Sequence, residues 1–359
     1  MSLPRALGLA LTLSCAASAC TSTGTKLVTL MPGVVNDPKN RTLRRELLQF
    51  GSGQFCREMR QRGAPLKVRD DAPAVGRFFI DQCDYRELEN DDAFVQFSGA
   101  GYAWTQPTGR IGFRAAAAIT YNPDLLIDDG TMYAYFRPRN VQSSKFEAVM
   151  IEHQTASGVA GMLLGQTSPE LVSRIGSQIV AQELQKGFTV LREPNGEADF
   201  ALGILEKGQR PFHPYNVRGS SKALLASDWS EIHSEQREFV GPFTVDSDGR
   251  ALFLTMNVDG APNLDMFLMR RETADPWLRD HVFRPGAGPL PGQPLAAEVV
   301  PQGKEVKRTI PLKKGVYYVV LDHTSTAGSV APPGTSPGLL GATDLAAVAR
   351  YVVQLGDAP

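Results

Sequence analysis

Between Gly76 and Glu152 the chain is a succession of apolar, aromatic and β-branched runs: GRFFIDQC, DAFVQFSGAGYAWT, RIGFRAAAAITY, GTMYAYFR and SKFEAVMIEH. Turn residues such as Asp128-Asp129-Gly130 separate some of them. Runs of this kind, broken by turns, predict strands paired with their neighbours in an antiparallel meander. Residues two apart on a strand point the same way. In the second run Gly99, Gly101 and Ala103 therefore share one face, and Tyr102 and Trp104 the other. In the third, Gly112, Ala116 and Ala118 lie opposite Ile111, Phe113, Ile119 and Tyr121. A patch of small residues lets something approach the sheet closely. Either a helix or second sheet packs there, or the patch belongs to a groove for an apolar or sugar ligand, walled by Tyr102, Trp104, Tyr133 or Tyr135.

A helix to cover that sheet is predicted over 168–186. It starts at Ser168-Pro169-Glu170, carries Leu171, Val172, Ile175, Ile179, Val180 and Leu184 on one stripe, and stops at Gly187. Just before it, SGVAGMLLG spaces Gly161 and Gly165 as in a GxxxG pair, but the apolar run is too short to span a bilayer. FTVLREP and ADFALGIL flank Asn195-Gly196, a hairpin signal. Upstream, Asp37-Pro38 reads as a helix start, with Leu43, Leu47, Leu48, Phe55 and Met59 at helical spacing up to Arg62 and Gly51 and Gly53 weakening the middle. Lys39, Arg41, Arg44, Arg45, Arg57, Arg60 and Arg62 give this segment a basic face. It reads as a solvated face interleaved with Glu46 and Glu58, or as one resting on anionic lipid headgroups.

From Lys207 to Ser234 proline and charge predominate, as in a connection. Strand patterns resume near Arg237 with EFVGPFTV, ALFLTMNV and LDMFLMRR, joined by DSDG and DGAP turns. A proline- and glycine-rich insertion from Arg284 to Pro294 follows, then VKRTIPLKKGVYYVVLDHT and AAVARYVVQLG, the last fitting a helix or, by preference, a strand. The basic strand, Leu312, and Gly315 ahead of VYYVVLD resemble the penultimate segments of small jelly-roll β-sandwiches, the bacterial pre-peptidase C-terminal domain and the GOLD domain. That resemblance implies an accessory module that binds or docks. The fold class expected is α+β and β-rich. An antiparallel sheet packed with helices would occupy 37–235, followed by a jelly-roll-like β-sandwich over 236–359, and 359 residues are enough for two such domains.

The first twenty residues, MSLPRALGLALTLSCAASAC, combine Arg5, an apolar stretch from Ala6 to Leu13 and small residues before Cys20, the parts of a secretory signal. Ala17-Ser18-Ala19-Cys20 resembles the lipobox of bacterial lipoproteins, although Ala17 stands where that family usually has Leu, and Cys15 is a poorer competing site. The resemblance implies a signal peptide over 1–19, a diacylglycerol-linked and acylated Cys20, and a tether over 20–36, with the lipid bilayer as partner. The alternative is an ordinary signal cleaved near Ala19. Thr21 in place of the Asp that directs such proteins to the inner membrane implies the outer membrane. With Cys15 removed and Cys20 lipidated, Cys56 and Cys83 remain, and an oxidising periplasm would pair them, stapling the helix to the strand that holds Cys83.

No motif here implies a cofactor. His153, His213, His233, His281 and His323 form no HExxH or other short metal pair, and no GxSxG elbow, P-loop or dinucleotide fingerprint occurs. Asp246-Ser247-Asp248-Gly249 lacks the later ligands of a calcium loop and reads as a turn. Asp322-His323-Thr324-Ser325 has triad residue types, but strand neighbours point to opposite faces. The formal net charge of -1 argues against nucleic acid. The favoured expectation is a lipid-anchored envelope protein that binds a ligand or an envelope partner, or serves a structural role. The alternative is a surface or periplasmic hydrolase drawing carboxylates from loops, at Asp91, Asp92, Asp128 and Asp129.

Overall fold

A computed structural model describes residues 32–69, 71–106, 108–152, 185–194, 196–217, 219–332 and 345–359. The expected signal peptide, Cys20, the tether up to residue 31, the SGVAGMLLG segment and the helix expected at 168–186, except for Gln185 and Lys186, lie outside the described residues.

Alternating burial makes the first half a sheet. Strand β1 (Ala64–Lys67) pairs with β2 (Ala74–Glu87), which is followed by β3 (Ala93–Thr105), β4 (Gly109–Asp128), β5 (Thr131–Ile151), β6 (Phe188–Arg192) and β7 (Ala198–Leu202), each antiparallel to its predecessor. At the β4–β5 turn Asp129 and Gly130 have φ of 46° and 75°, the positive pair that a tight two-residue hairpin requires. GTMYAYFR and SKFEAVMIEH, expected as two strands, form the single strand β5. Pro138 within it stands opposite Tyr121, beside a register shift, and irregularities of this kind are where a sheet accepts proline.

The helix expected from Asp37 to Arg62 is divided. After the short α1 (Pro32–Val35), α2 (Arg41–Leu48) and α3 (Gln54–Arg62) are separated at Gly53, whose φ of 66° breaks the helical path. Asp37 does not cap α2, which follows Asn40; its carboxylate accepts the Lys39 N–H. Leu43, Leu47 and Leu48 pack on a core that includes Phe55, Met59, Phe78, Phe97, Phe113, Phe136 and Phe188. Much of the basic face is turned to the protein. Arg44 pairs with Asp124, Arg45 with Glu87, and Arg60 and Arg62 donate to the carbonyls of Cys83 and Phe200. Cys56 on α3 and Cys83 on β2 form a disulfide, Cα–Cα 5.6 Å.

The second half is a sandwich. Its strands are β8 (Ala223–Ile232), β9 (Gln236–Val245), β10 (Arg250–Asp259), β11 (Asn263–Arg270), β12 (Ala296–Pro301), β13 (Val306–Leu312), β14 (Gly315–His323) and β15 (Ala347–Asp357). One sheet orders β13-β10-β15-β8 and the other β12-β11-β14-β9. Leu252, Leu254, Met256 and Val353 from the first meet Val240, Met266, Val319 and Leu321 from the second in a buried core. The segment from Lys207 to Ser234, read as a connection, therefore contains β8, and a boundary at 235/236 falls between two strands of one sandwich. AAVARYVVQLG is a strand. β8 also touches β2 through the single parallel pair Ala74↔Ser230, which makes the first sheet continuous across both halves.

Between β11 and β12 lies helix α4 (Arg271–Phe283), which the sequence reading did not anticipate. It packs on the first sheet. Cross-strand register pairs Tyr102 with Gly112 and Gly101 with Phe113, so the glycines of β3 and Gly112 of β4 lie on opposite faces and form no common patch. Gly112 faces α4, where an added Cβ would stand 1.6 Å from the Val282 carbonyl oxygen. Only glycine admits the helix this closely. The glycines of β3 turn the other way, toward Phe113 and the backbone of β2.

Candidate functional site

The contact between the two halves is built on buried arginines. Arg77 of β2, 2% exposed, donates from Nε to Glu238 Oε1 at 2.7 Å, from Nη1 to the Arg62 carbonyl at 2.9 Å and from Nη2 to the Tyr351 hydroxyl at 2.8 Å. Burial opposes its charge, but Glu238, together with Tyr351, Tyr102 and Asp228, more than offsets that and holds the guanidinium ionised. Glu238 Oε2 accepts from the Tyr102 hydroxyl, which itself accepts the Phe239 N–H. Arg110 of β4 donates to the carbonyls of Arg284 and Gly286, both at 3.0 Å, and pairs with Glu152 at 3.2 Å. Its Nη1 lies 2.6 Å from His281 Nδ1. Burial, then the charges of Arg110 and Arg237, hold the His281 imidazole well below its ordinary range, so the ring is neutral and Nδ1 accepts. Arg237 of β9 pairs with Asp322, donates to the Gly288 carbonyl and lies 4.2 Å over the Trp277 ring. The proline- and glycine-rich insertion is thus wound around two guanidinium groups.

Beside this contact a cleft of about 1180 Å³ runs between α4 and the first sheet. Phe79, Ala100, Arg114 and Ala116 lie on its sheet side, and Asp275, Leu278, Arg279 and Phe283 on its helix side. Arg114 stacks 5.0 Å over Phe283, an arrangement in which the ring face offsets the cation's lost hydration. Asp275 accepts from Arg271 Nε at 2.8 Å. Partial burial, and next the charge of Asp275, raise the carboxyl of Asp81, against the opposing effect of Arg114 and Arg271. The cleft therefore offers apolar surface with a carboxylate pair and cations at its edge. Such a surface suits a ligand with an apolar body and a polar end.

The aromatic residues expected to wall a groove do not share this cleft. Tyr102 is buried in the arginine network, and Trp104 stacks on His233. Tyr133 and Tyr135 are buried in a separate cluster with Leu191. The four loop acids are held in local contacts at two turns. Asp91 pairs with Arg45, and Asp128 with Lys207. Burial of the Asp92 carboxyl opposes its charge, but hydrogen bonds from Asn122, Arg139 and Asn90 prevail and hold it below its usual range. Asp129 forms the β4–β5 turn itself. Asp81 and Asp275, which do face one cleft, were missed, because strand and helix spacing alone do not show which acids meet across two elements. Among the described residues no three His, Cys, Asp or Glu side chains cluster as metal ligands, and no helix is long and apolar enough to cross a membrane. No protein-family model matches the chain, and comparison with curated proteins finds no match.

Proposed function

We propose that the chain is a lipid-anchored protein of the bacterial envelope, attached at Cys20 in the outer membrane, that acts by binding or assembly through the cleft beside α4. The observation that carries the location is the Cys56–Cys83 disulfide. Structural disulfides persist in oxidising compartments and are rare where cytosolic reductants act. Ala17-Ser18-Ala19-Cys20 supplies the anchor in this reading, and Thr21 favours the outer membrane. The binding role is supported by the size and mixed chemistry of the cleft, which has room for a small molecule or a segment of an envelope partner. The strand orders β8-β15-β10-β13 and β9-β14-β11-β12 support reading the sandwich as a jelly roll, the architecture of the docking modules it resembles. Expressed with its leader in a Gram-negative host, the wild-type protein should incorporate labelled palmitate and sediment with the outer membrane. Cys20→Ala should be unlabelled and released. A variant that stays with the membrane, or a wild-type protein without acyl chains, overturns the reading.

One observation favours a hydrolase as the second reading. Asp81 and Asp275 line one cleft, and a carboxyl raised by partial burial and then by a neighbouring acid is what a general acid needs. Turnover of chromogenic esters or glycosides by the wild type but not by Asp81→Asn would support it. Equal rates in both, or none in either, would sink it.

A further inference from the structure

A second cavity, of about 480 Å³, lies where the first sheet divides. β2 and β8 share one backbone pair, and the space between β1, β7 and β8 is walled by Pro65, Phe200, Leu202, Ile204, Leu205 and Ala226. Three buried side-chain atoms of its lining residues have no hydrogen-bond partner among the described residues; Arg210 Nη1 is held in an ion pair with Glu193, which leaves two. One is the hydroxyl of Ser227, a residue 7% exposed. The other is Nδ1 of His213, whose Nε2 lies 2.7 Å from Asp199 Oδ2. Burial opposes ionisation of Asp199, but the hydrogen bond and charge of His213 prevail and keep its carboxyl below the usual range. A carboxylate only accepts, so Nε2 carries a proton and Nδ1 is the ring atom left for the cavity. A hydroxyl and a ring nitrogen left unpaired in an apolar cavity are costly unless something else completes them. An apolar pocket with a few polar atoms that fix orientation is the usual form of a small-molecule site.

The cations of the lining narrow the ligand. Lys67 pairs with Asp228, Arg62 with Glu58, Arg77 with Glu238 and Arg210 with Glu193, while Lys186 is also engaged. Arg62, Lys67, Arg77 and Arg210 are thus already matched by acids, as is His213 by Asp199, so an anionic head gains little from them. The available groups are His213 Nδ1 and the hydroxyl of Ser227, and a hydroxyl, which can both donate and accept, matches the two. Phe212, 57% exposed and 5.9 Å from the Trp229 ring, also lines the cavity and extends its apolar surface to solvent. We propose that this cavity binds a single-chain amphiphile with an uncharged hydroxyl head, of the monoacylglycerol class. The head hydroxyl hydrogen-bonds to His213 Nδ1 and Ser227 Oγ, and the tail lies among Phe200, Leu202, Ile204 and Leu205.

Calorimetric titration with 1-monodecanoylglycerol, kept below its aggregation concentration, tests this, with sodium decanoate as the anionic comparison and thermal melts in parallel. Saturable one-to-one binding is expected, weakened about fivefold in Ser227→Ala and in His213→Phe, the loss of one hydrogen bond each. Decanoate should bind at least about tenfold more weakly, since Arg62, Lys67, Arg77 and Arg210 are already matched by acids. Without ligand, Ser227→Ala should melt at or above the wild-type temperature, because it removes a hydroxyl that has no partner. Absence of saturable binding, unchanged affinity in both variants, decanoate bound as tightly as the glyceride, or a Ser227→Ala protein that melts below the wild type each overturns the proposal.

Discussion

Glu238→Ala should lower the stability of the protein by about 3–5 kcal/mol, the effect of leaving a buried guanidinium without its counter-ion. Arg77 and Glu238 are 2% and 3% exposed, so water cannot replace the carboxylate. The alanine would also free the Tyr102 and Ser230 hydroxyls, which both donate to Glu238. Urea unfolding followed by tryptophan fluorescence gives the measurement, read as a shift of midpoint at constant slope. The double replacement Arg77→Met with Glu238→Leu should recover part of the loss, because it removes the unpaired charge, while the groups that Arg77 and Glu238 hydrogen-bonded stay unmatched. A single variant within about 1 kcal/mol of the wild type would mean that the pair is not buried in solution.

The second large effect is loss of the disulfide. The bridge closes a separation of 27 residues, for which chain entropy gives about 3–4 kcal/mol. Cys56→Ala with Cys83→Ala, or the wild type in excess reductant, should therefore unfold at lower urea, and with a steeper slope, since the uncrosslinked denatured chain exposes more surface. The native state should change little, because Phe55 and Met59 hold α3 against the sheet on either side of Cys56. Identical midpoints with and without reductant would refute the contribution.

How much of this was legible in the sequence depended on whether the signal was local. Strands announced by aromatic and β-branched runs were found where expected, and Asp129-Gly130 marked its turn through its own backbone preference. The two cysteines were paired correctly once the others had been assigned elsewhere. Helix α4 was not legible, because Pro276 interrupts its pattern and six of its first ten residues are charged or proline, leaving Ala274, Trp277 and Val282 as sparse buried apolar positions. β8 was hidden in a stretch rich in proline and charge. The facing of the glycines needed cross-strand register, which no single strand contains. The buried arginines were opaque for the same reason, since Arg77 and Glu238 are 161 residues apart. Their one local trace is position: Arg77 and Arg110 stand at the head of the apolar runs GRFFI and RIGF.

The place of β15 has a consequence for how the protein is made. It follows all the other described strands in the chain, yet it lies between β8 and β10, pairing with both along most of its length. A ribosome delivers residues in order, so β8 and β10 must wait, edges unsatisfied, until the residues beyond Ala347 emerge. Nascent chains in that interval present two open edges that can pair with neighbouring molecules. Closure of the sandwich is therefore tied to completion of the chain, and no shorter nascent product can form it.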